Sequence, residues 1–590
     1  MAMNEWSFSR RPAVKRYPSR RPSARARTRA SVAHMTSLGC HPRPLVLGLA
    51  LVPLIVATFT ACSPGSTPPA ATSTAASADP ASRWFAHVQA LASDEMRGRE
   101  TGSPAHRKAA DYVAEHFEQA GLQPAGSSGY LQPVAFRSRK IDESQSSLAL
   151  VRAGKPEPVA LGDDATFGMR IDPAPSVEAP LVFAGHGLQI PEAKHDDFAA
   201  LDVKGKVVVY LAGSPKEVPG ALSAHYQSAA ERWSTLKRLG AIGVISIANP
   251  KAMDVPWERS SPNRLNPAMA LEDASLDDTA GQQVSIAFNP AKAERLFAGS
   301  GHTFAELLRV ADEGKVLPHF ALPLSVRAKV KVESQDIESH NVAGMVKGSD
   351  PALASEYVVL TAHLDHVGVG APINGDEIYN GAMDNASGIA TLIEAASAVV
   401  AARPRRSVLM VAVTAEEKGL LGSRYFALNP TVPREAIVAN LNMDMFLPLY
   451  PLKSLMVLGL DESDLGDDVR AVAQEMGLGV RPDPQPQRNR FIRSDQYSFI
   501  RQGVPALAMK VGFEPGSPEE KVDAEWTRTR YHAPSDDLAQ PIDRGAAVGF
   551  TDVIGRLSVR VANRDARPSW KDTSFFKRFA PPAVTRTTGH

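Results

Sequence analysis

The reading turns on residues 357–388, YVVLTAHLDHVGVGAPINGDEIYNGAMDNASG. Val358–Ala362 is a short apolar run that stops abruptly at His363, Asp365 and His366. A run of that length, bounded by polar residues, reads as a buried strand. The same stretch ends on Asp384, Asn385 and Ser387, whose oxygens suit a helix start, and an apolar helix is expected over 387–402. Moving outward, apolar runs recur at Val408–Val413, Ile437–Met443 and Val504–Val511. They alternate with helical patterns over 419–428, 466–477 and 543–561. Short apolar runs between helices indicate strands buried on both faces. The expected class is therefore α/β, with a mainly parallel sheet and helices on both faces. In such sheets functional groups gather beyond the carboxyl ends of the strands.

What stands after each run is a set of metal-ligating residue types. His363 and Asp365, two apart, can share one side of a strand end, where the acid can orient the imidazole. Asp384 follows the first loop, Glu416 and Glu417 follow Val413, and Asp444 sits beside the apolar Met445 and Phe446. An acid in an apolar run needs a partner. Tyr531 and His532 lie in a loop between the last strand and the last helix. Taken singly, each fits a surface pair, a helix cap or a solvated acid. Taken together, two histidines and three carboxylates at strand ends suit a divalent pair. Zinc accepts both nitrogen and oxygen and keeps an open position when catalytic. A further carboxylate beside a ligand is what a metal-dependent hydrolase needs as its base.

The blocks AHLDH (362–366), YNGAMDNASG (379–388), TAEEKGLLGS (414–423), NLNMDM (440–445) and YHAPSDDL (531–538) resemble, in order, those of the dizinc exopeptidase family. That family includes secreted bacterial aminopeptidases and glutamate carboxypeptidase. The resemblance spans roughly 85–125 and 340–565. A segment from about 165 to 330, with LVFAGHGL at 181–188 and VKGKVVV at 203–209, resembles a protease-associated domain. The resemblance implies a zinc exopeptidase fold over 81–130 and 336–565, with a β-rich insert over 131–335 and a tail over 566–590. It implies two zinc ions per chain, one held by His363 and Asp444, the other by Glu417 and His532, with Asp384 bridging. Glu416 then matches the general base, Asp365 the support of His363, and Tyr531 an oxyanion stabiliser. The Asp384–Asn385 peptide is cis in relatives. Met383 and Gln496 depart from the common pattern, which has an acid and a histidine there; both are expected at the substrate pocket. The implied activity is aminopeptidase action on peptide substrates. A carboxypeptidase would need a basic clamp, for which Arg488, Arg490 and Arg493 are available. A silent binding protein on the same fold would need a lost ligand, and all five ligands and the base are intact.

Composition sets the outer bounds. The chain has 590 residues, 44% hydrophobic and 22% charged, which excludes wholesale disorder, collagen and a polytopic membrane protein. Only Cys40 and Cys62 occur, so a disulfide framework or a cysteine-rich metal site is excluded. The net charge of +1 hides a basic leader and an acidic remainder, and nothing suggests a nucleic-acid surface on the folded part. Residues 1–34 read as an upstream extension before Met35. The apolar stretch 45–61 followed by Cys62 reads as an export signal with a lipidation site. Its 17 residues also reach the lower limit for a spanning anchor. Residues 63–80, rich in Ser, Pro and Ala, read as a tether. The expected location is the cell envelope or beyond, with membrane attachment through Cys62; oligomeric state is left open.

Overall fold

The computed structural model describes residues 79–581. The expected export signal, Cys62 and nearly all of the expected tether lie outside the described residues.

The first sheet contains β1 (Gln123–Pro124), β2 (Leu131–Ile141), β3 (Ala268–Leu271), β4 (Val332–Val346), β5 (Tyr357–His363), β6 (Ser407–Val413), β7 (Ile437–Asn442), β8 (Ser454–Leu458), β9 (Gly479–Pro482) and β10 (Ala506–Val511). Their order is β3-β2-β4-β6-β5-β7-β10-β8-β9, with β1 on β4. The central four, β6-β5-β7-β10, are parallel, as expected from their unbroken apolar runs. Side chains in β5 and β6 alternate between two cores. Val358, Leu360, Ala362, Val408, Met410 and Ala412 pack against helices Pro80–Leu91, Ser387–Ala402 and Arg544–Ala562. Val359, Leu409, Val411 and Val413 pack on the opposite face against Phe426 and Phe499 of two shorter helices. With both faces covered, these strands are apolar almost throughout, and the buried Thr361 bonds Asn442.

The flanks differ from the parallel expectation. β2, β4 and β6 pair antiparallel, as do β8 and β10. The reason is visible in β2, whose residues alternate between buried and exposed positions along much of the strand. An antiparallel flank can leave one face to solvent.

A second sheet of eight strands lies between β2 and β4 in sequence, from Ser147 to Lys329. It has its own core, including Phe183, Val209, Ile245, Ile286 and Phe297. Its boundary corrects the expected one: residues 131–141, assigned to the insert, pair within the first sheet. The insert also returns β3 to the first sheet, antiparallel to β2. The expected tail is likewise packed as far as it is described. Trp570 and Phe576 are buried with Ile492, Tyr497 and Ile500.

Candidate metal centre

The parallel strands deliver their ligands at one edge. β5 ends on His363, while Ala415 and Met445 turn the chain just beyond β6 and β7 with φ of 56° and 48°. His532 has φ 51°. Non-glycine residues seldom adopt this region, and they cluster where a structure must aim a side chain. The Asp384–Asn385 peptide is cis, as expected.

Asp384 stands between two groups. His363 Nε2 is 3.3 Å from Asp384 Oδ1 and 3.3 Å from Asp444 Oδ1. His532 Nε2 is 3.3 Å from Asp384 Oδ2 and 3.1 Å from Glu417 Oε2. The two oxygens of one carboxylate therefore face separate His–carboxylate pairs. Asp384 Oδ2 is buried without a hydrogen-bond donor. A buried carboxylate oxygen in that state needs a cation, and the donor set fits a pair of zinc ions. His363 Nδ1 lies 3.0 Å from the Asp365 carbonyl. Donation from that nitrogen fixes the tautomer and leaves Nε2 free as a ligand.

Asp365 corrects its expected role. Its main chain, not its carboxylate, holds the His363 ring. The carboxylate accepts from the amides of Glu416 and Glu417, at 3.0 and 3.3 Å, and from Thr101 Oγ1 at 3.1 Å. It thus positions the loop carrying base and ligand. Glu416 lies outside both ligand groups. Burial pushes its carboxyl well above the usual range, and the charges of Asp444 and Glu417 push the same way. Burial pulls His532 down, but Glu417 and Asp384 outweigh that and raise it well above its ordinary value. Burial also raises the Tyr531 phenol, which stays a donor at neutral pH. Its ring packs on His532 with centroids 4.0 Å apart.

Five residues at the site were not assigned roles from sequence. His366 is fully buried, with Nδ1 2.8 Å from Glu417 Oε1 and 3.7 Å from Asp384 Oδ2; its signal was the second histidine of HLDH. Asp536 accepts from the amides of Met383 and Asp384, at 2.9 and 3.0 Å, and so clamps the backbone of the bridging ligand. Arg99 donates to carbonyls of both ligand loops. Asp495 is buried near the same acids, and burial leads the causes that push it up to about 7. Arg170, from the insert, donates to the Glu417 carbonyl at 2.9 Å. Asp536 lies within the block YHAPSDDL, and no local pattern marks Arg99, Asp495 or Arg170.

Met383 and Gln496 sit elsewhere than expected. Met383 is packed in the core. Gln496 is buried, accepts from Asn442 at 2.8 Å and donates to the Phe491 carbonyl at 2.8 Å. Of the three arginines, Arg488 and Arg493 donate to opposite oxygens of Asp254, at 2.5 and 2.6 Å, and Arg490 donates to Gln485 at 3.0 Å. Arg259 of the insert bonds the Tyr531 carbonyl, so the insert borders the site at several points.

Residues 341–558 match the profile of Peptidase family M28. A protein of Aspergillus fumigatus described as "Probable leucine aminopeptidase 2" is 27% identical over 294 residues, covering 47% of this chain and 56% of that one. A protein of Aspergillus oryzae with the same description is 25% identical over 459 residues, 75% of this chain and 76% of that one. Among solved structures, the aminopeptidase from Aneurinibacillus sp. strain AM-1 aligns with a TM-score of 0.51 at 20% identity, over 82% of this chain and 95% of that one. That likeness shows the fold.

Proposed function

We propose that the chain, whose residues 341–558 match the profile of Peptidase family M28, is a zinc-dependent exopeptidase that removes N-terminal residues from peptides. The observation that carries the proposal is Asp384, whose two oxygens serve two His–carboxylate pairs with an uncommitted glutamate alongside. His363, Asp444 and Asp384 would hold one ion, and Glu417, His532 and Asp384 the other. When bound, the ions supply Lewis acidity that lets water ionise near neutral pH and polarises a carbonyl. Glu416 takes the proton of the attacking water and returns it to the leaving amine. Its raised affinity for protons suits both halves of that task. The Tyr531 hydroxyl donates to the oxygen that gains charge.

The preference for a free amine rests on charge. Asp384, Glu416, Glu417 and Asp444 crowd the site, whereas Arg488 and Arg493 are already paired with Asp254. The relatives described as leucine aminopeptidases support the same end of the peptide. An unblocked aminoacyl anilide is expected to be cleaved, and its N-acetylated form to lose at least about 100-fold in kcat/KM, near 2.7 kcal/mol of recognition. Equal cleavage of both forms would reject the aminopeptidase reading.

The metal count has its own check. Purified protein saturated with zinc and freed of excess is expected to hold two ions per chain. Exhaustive chelation should abolish cleavage, and zinc should restore it. Full activity with one ion per chain would remove the dinuclear assignment.

A further inference from the structure

His366 is absent from the ligand set implied by the resemblance, yet it is the most enclosed histidine of the centre. Its ring lies against Gly381, where an added Cβ would come within 2.6 Å of the ring carbons. Gly381 has φ 63° and immediately precedes the loop carrying Asp384. The ring is therefore fixed by backbone, with Nδ1 aimed at Glu417 Oε1 from 2.8 Å.

The two ring nitrogens identify its chemistry. A metal-bound histidine nearly always donates its other N–H to a carboxylate or carbonyl. His363 obeys this through the Asp365 carbonyl. His366 Nε2 is buried and has no hydrogen-bond partner. Were Nδ1 a ligand, Nε2 would have to carry a hydrogen with no acceptor, and a buried unpaired donor costs about 1–3 kcal/mol. With the hydrogen on Nδ1, the bond to Glu417 is satisfied and only a lone pair is left bare. Glu417 is then held at every other point as well. Its amide donates to Asp365, its carbonyl accepts from Arg170, and Oε2 faces His532.

We propose that His366 is a positioning residue rather than a ligand: Nδ1–H holds Oε1 of Glu417, so that only Oε2 is offered to the second ion. The inference rests on the two-ion reading above.

Asn and Leu variants separate the roles, since an asparagine amide nitrogen falls near Nδ1 of histidine and donates but is a poor zinc ligand. Zinc titration of the metal-free protein by calorimetry is expected to show His366→Leu binding its second ion about 10–100-fold more weakly, with the first ion within about threefold of wild type. His366→Asn should hold the second ion within about threefold of wild type. X-ray absorption of the wild-type dizinc protein should count two imidazoles over two ions, one per zinc, which needs no variant to fold. Three imidazoles over two ions would make His366 a ligand and overturn the proposal. So would a His366→Asn variant that loses the second ion as fully as His366→Leu, or a His366→Leu variant that loses nothing. A wild-type chain that saturates at one ion would instead defeat the two-ion reading itself, and the inference with it.

Discussion

Glu416→Gln is expected to fold, to take up its full complement of zinc and to lose about 10²–10⁴-fold in turnover. The substitution keeps the shape and the main-chain bond to Asp365 Oδ1, which fixes the start of the loop. It touches neither ligand group, since those are built on Asp384 with His363 and Asp444, and with Glu417 and His532. What it removes is the carboxylate next to the ligand Glu417 that lies outside both ligand groups and can accept a proton. Metal analysis and a melting curve should match wild type while kcat collapses. Near-wild-type turnover in a fully metallated Glu416→Gln would place the base on another residue.

Arg99→Met is expected to lose at least about 3 kcal/mol of stability, with a Tm drop of at least about 5 °C. Arg99 is 1% exposed. Its guanidinium donates to the carbonyls of Leu364, Asn380 and Gly381, at 2.9, 2.8 and 3.1 Å, and to that of Leu91. One side chain thereby ties the loop after β5, the loop before Asp384 and the first helix. Burial lowers its pKa to about 10, so it stays charged at neutral pH, facing Asp536, Asp365, Asp384 and Glu417. Removing it strands buried carbonyls, each costing about 1–3 kcal/mol, and concentrates like charge around Asp384. Lysine is no substitute, because a point charge cannot reach four carbonyls in a plane. Zinc affinity should fall along with the melting temperature. A melting curve within 1 °C of wild type would refute this account of Arg99.

The parts legible in the sequence were those whose cause is local. The runs at 358–362 and 408–413 are apolar because helices cover both faces, and that pattern is complete within each strand. His363, Glu417 and Asp444 sit at or just beyond strand ends, where the change from apolar to His, Glu or Asp is abrupt. Arg99, Asp536 and Arg170 were not legible, because each acts on backbone groups far along the chain, and backbone groups carry no residue signature. Asp365 stands where expected but holds His363 through a different atom: sequence spacing cannot tell a carboxylate from its own carbonyl three bonds away. The antiparallel flanks were missed for a related reason, since β2 and β4 are separated by the whole insert.

That separation bears on how the chain assembles. β2 and β4 pair residue for residue from Leu131 with Val342 up to Ile141 with Val332, so topologically they are one hairpin. Its turn is the entire second sheet, roughly 190 residues, yet closing a loop of that size costs only about 2–3 kcal/mol more than closing one of ten. Much of that cost is met before the hairpin forms, because Ser147 and Lys329, just inside the two strands, are themselves paired in the second sheet. An insert that folds first presents its two ends side by side, and the hairpin can zip from there as though the turn were short.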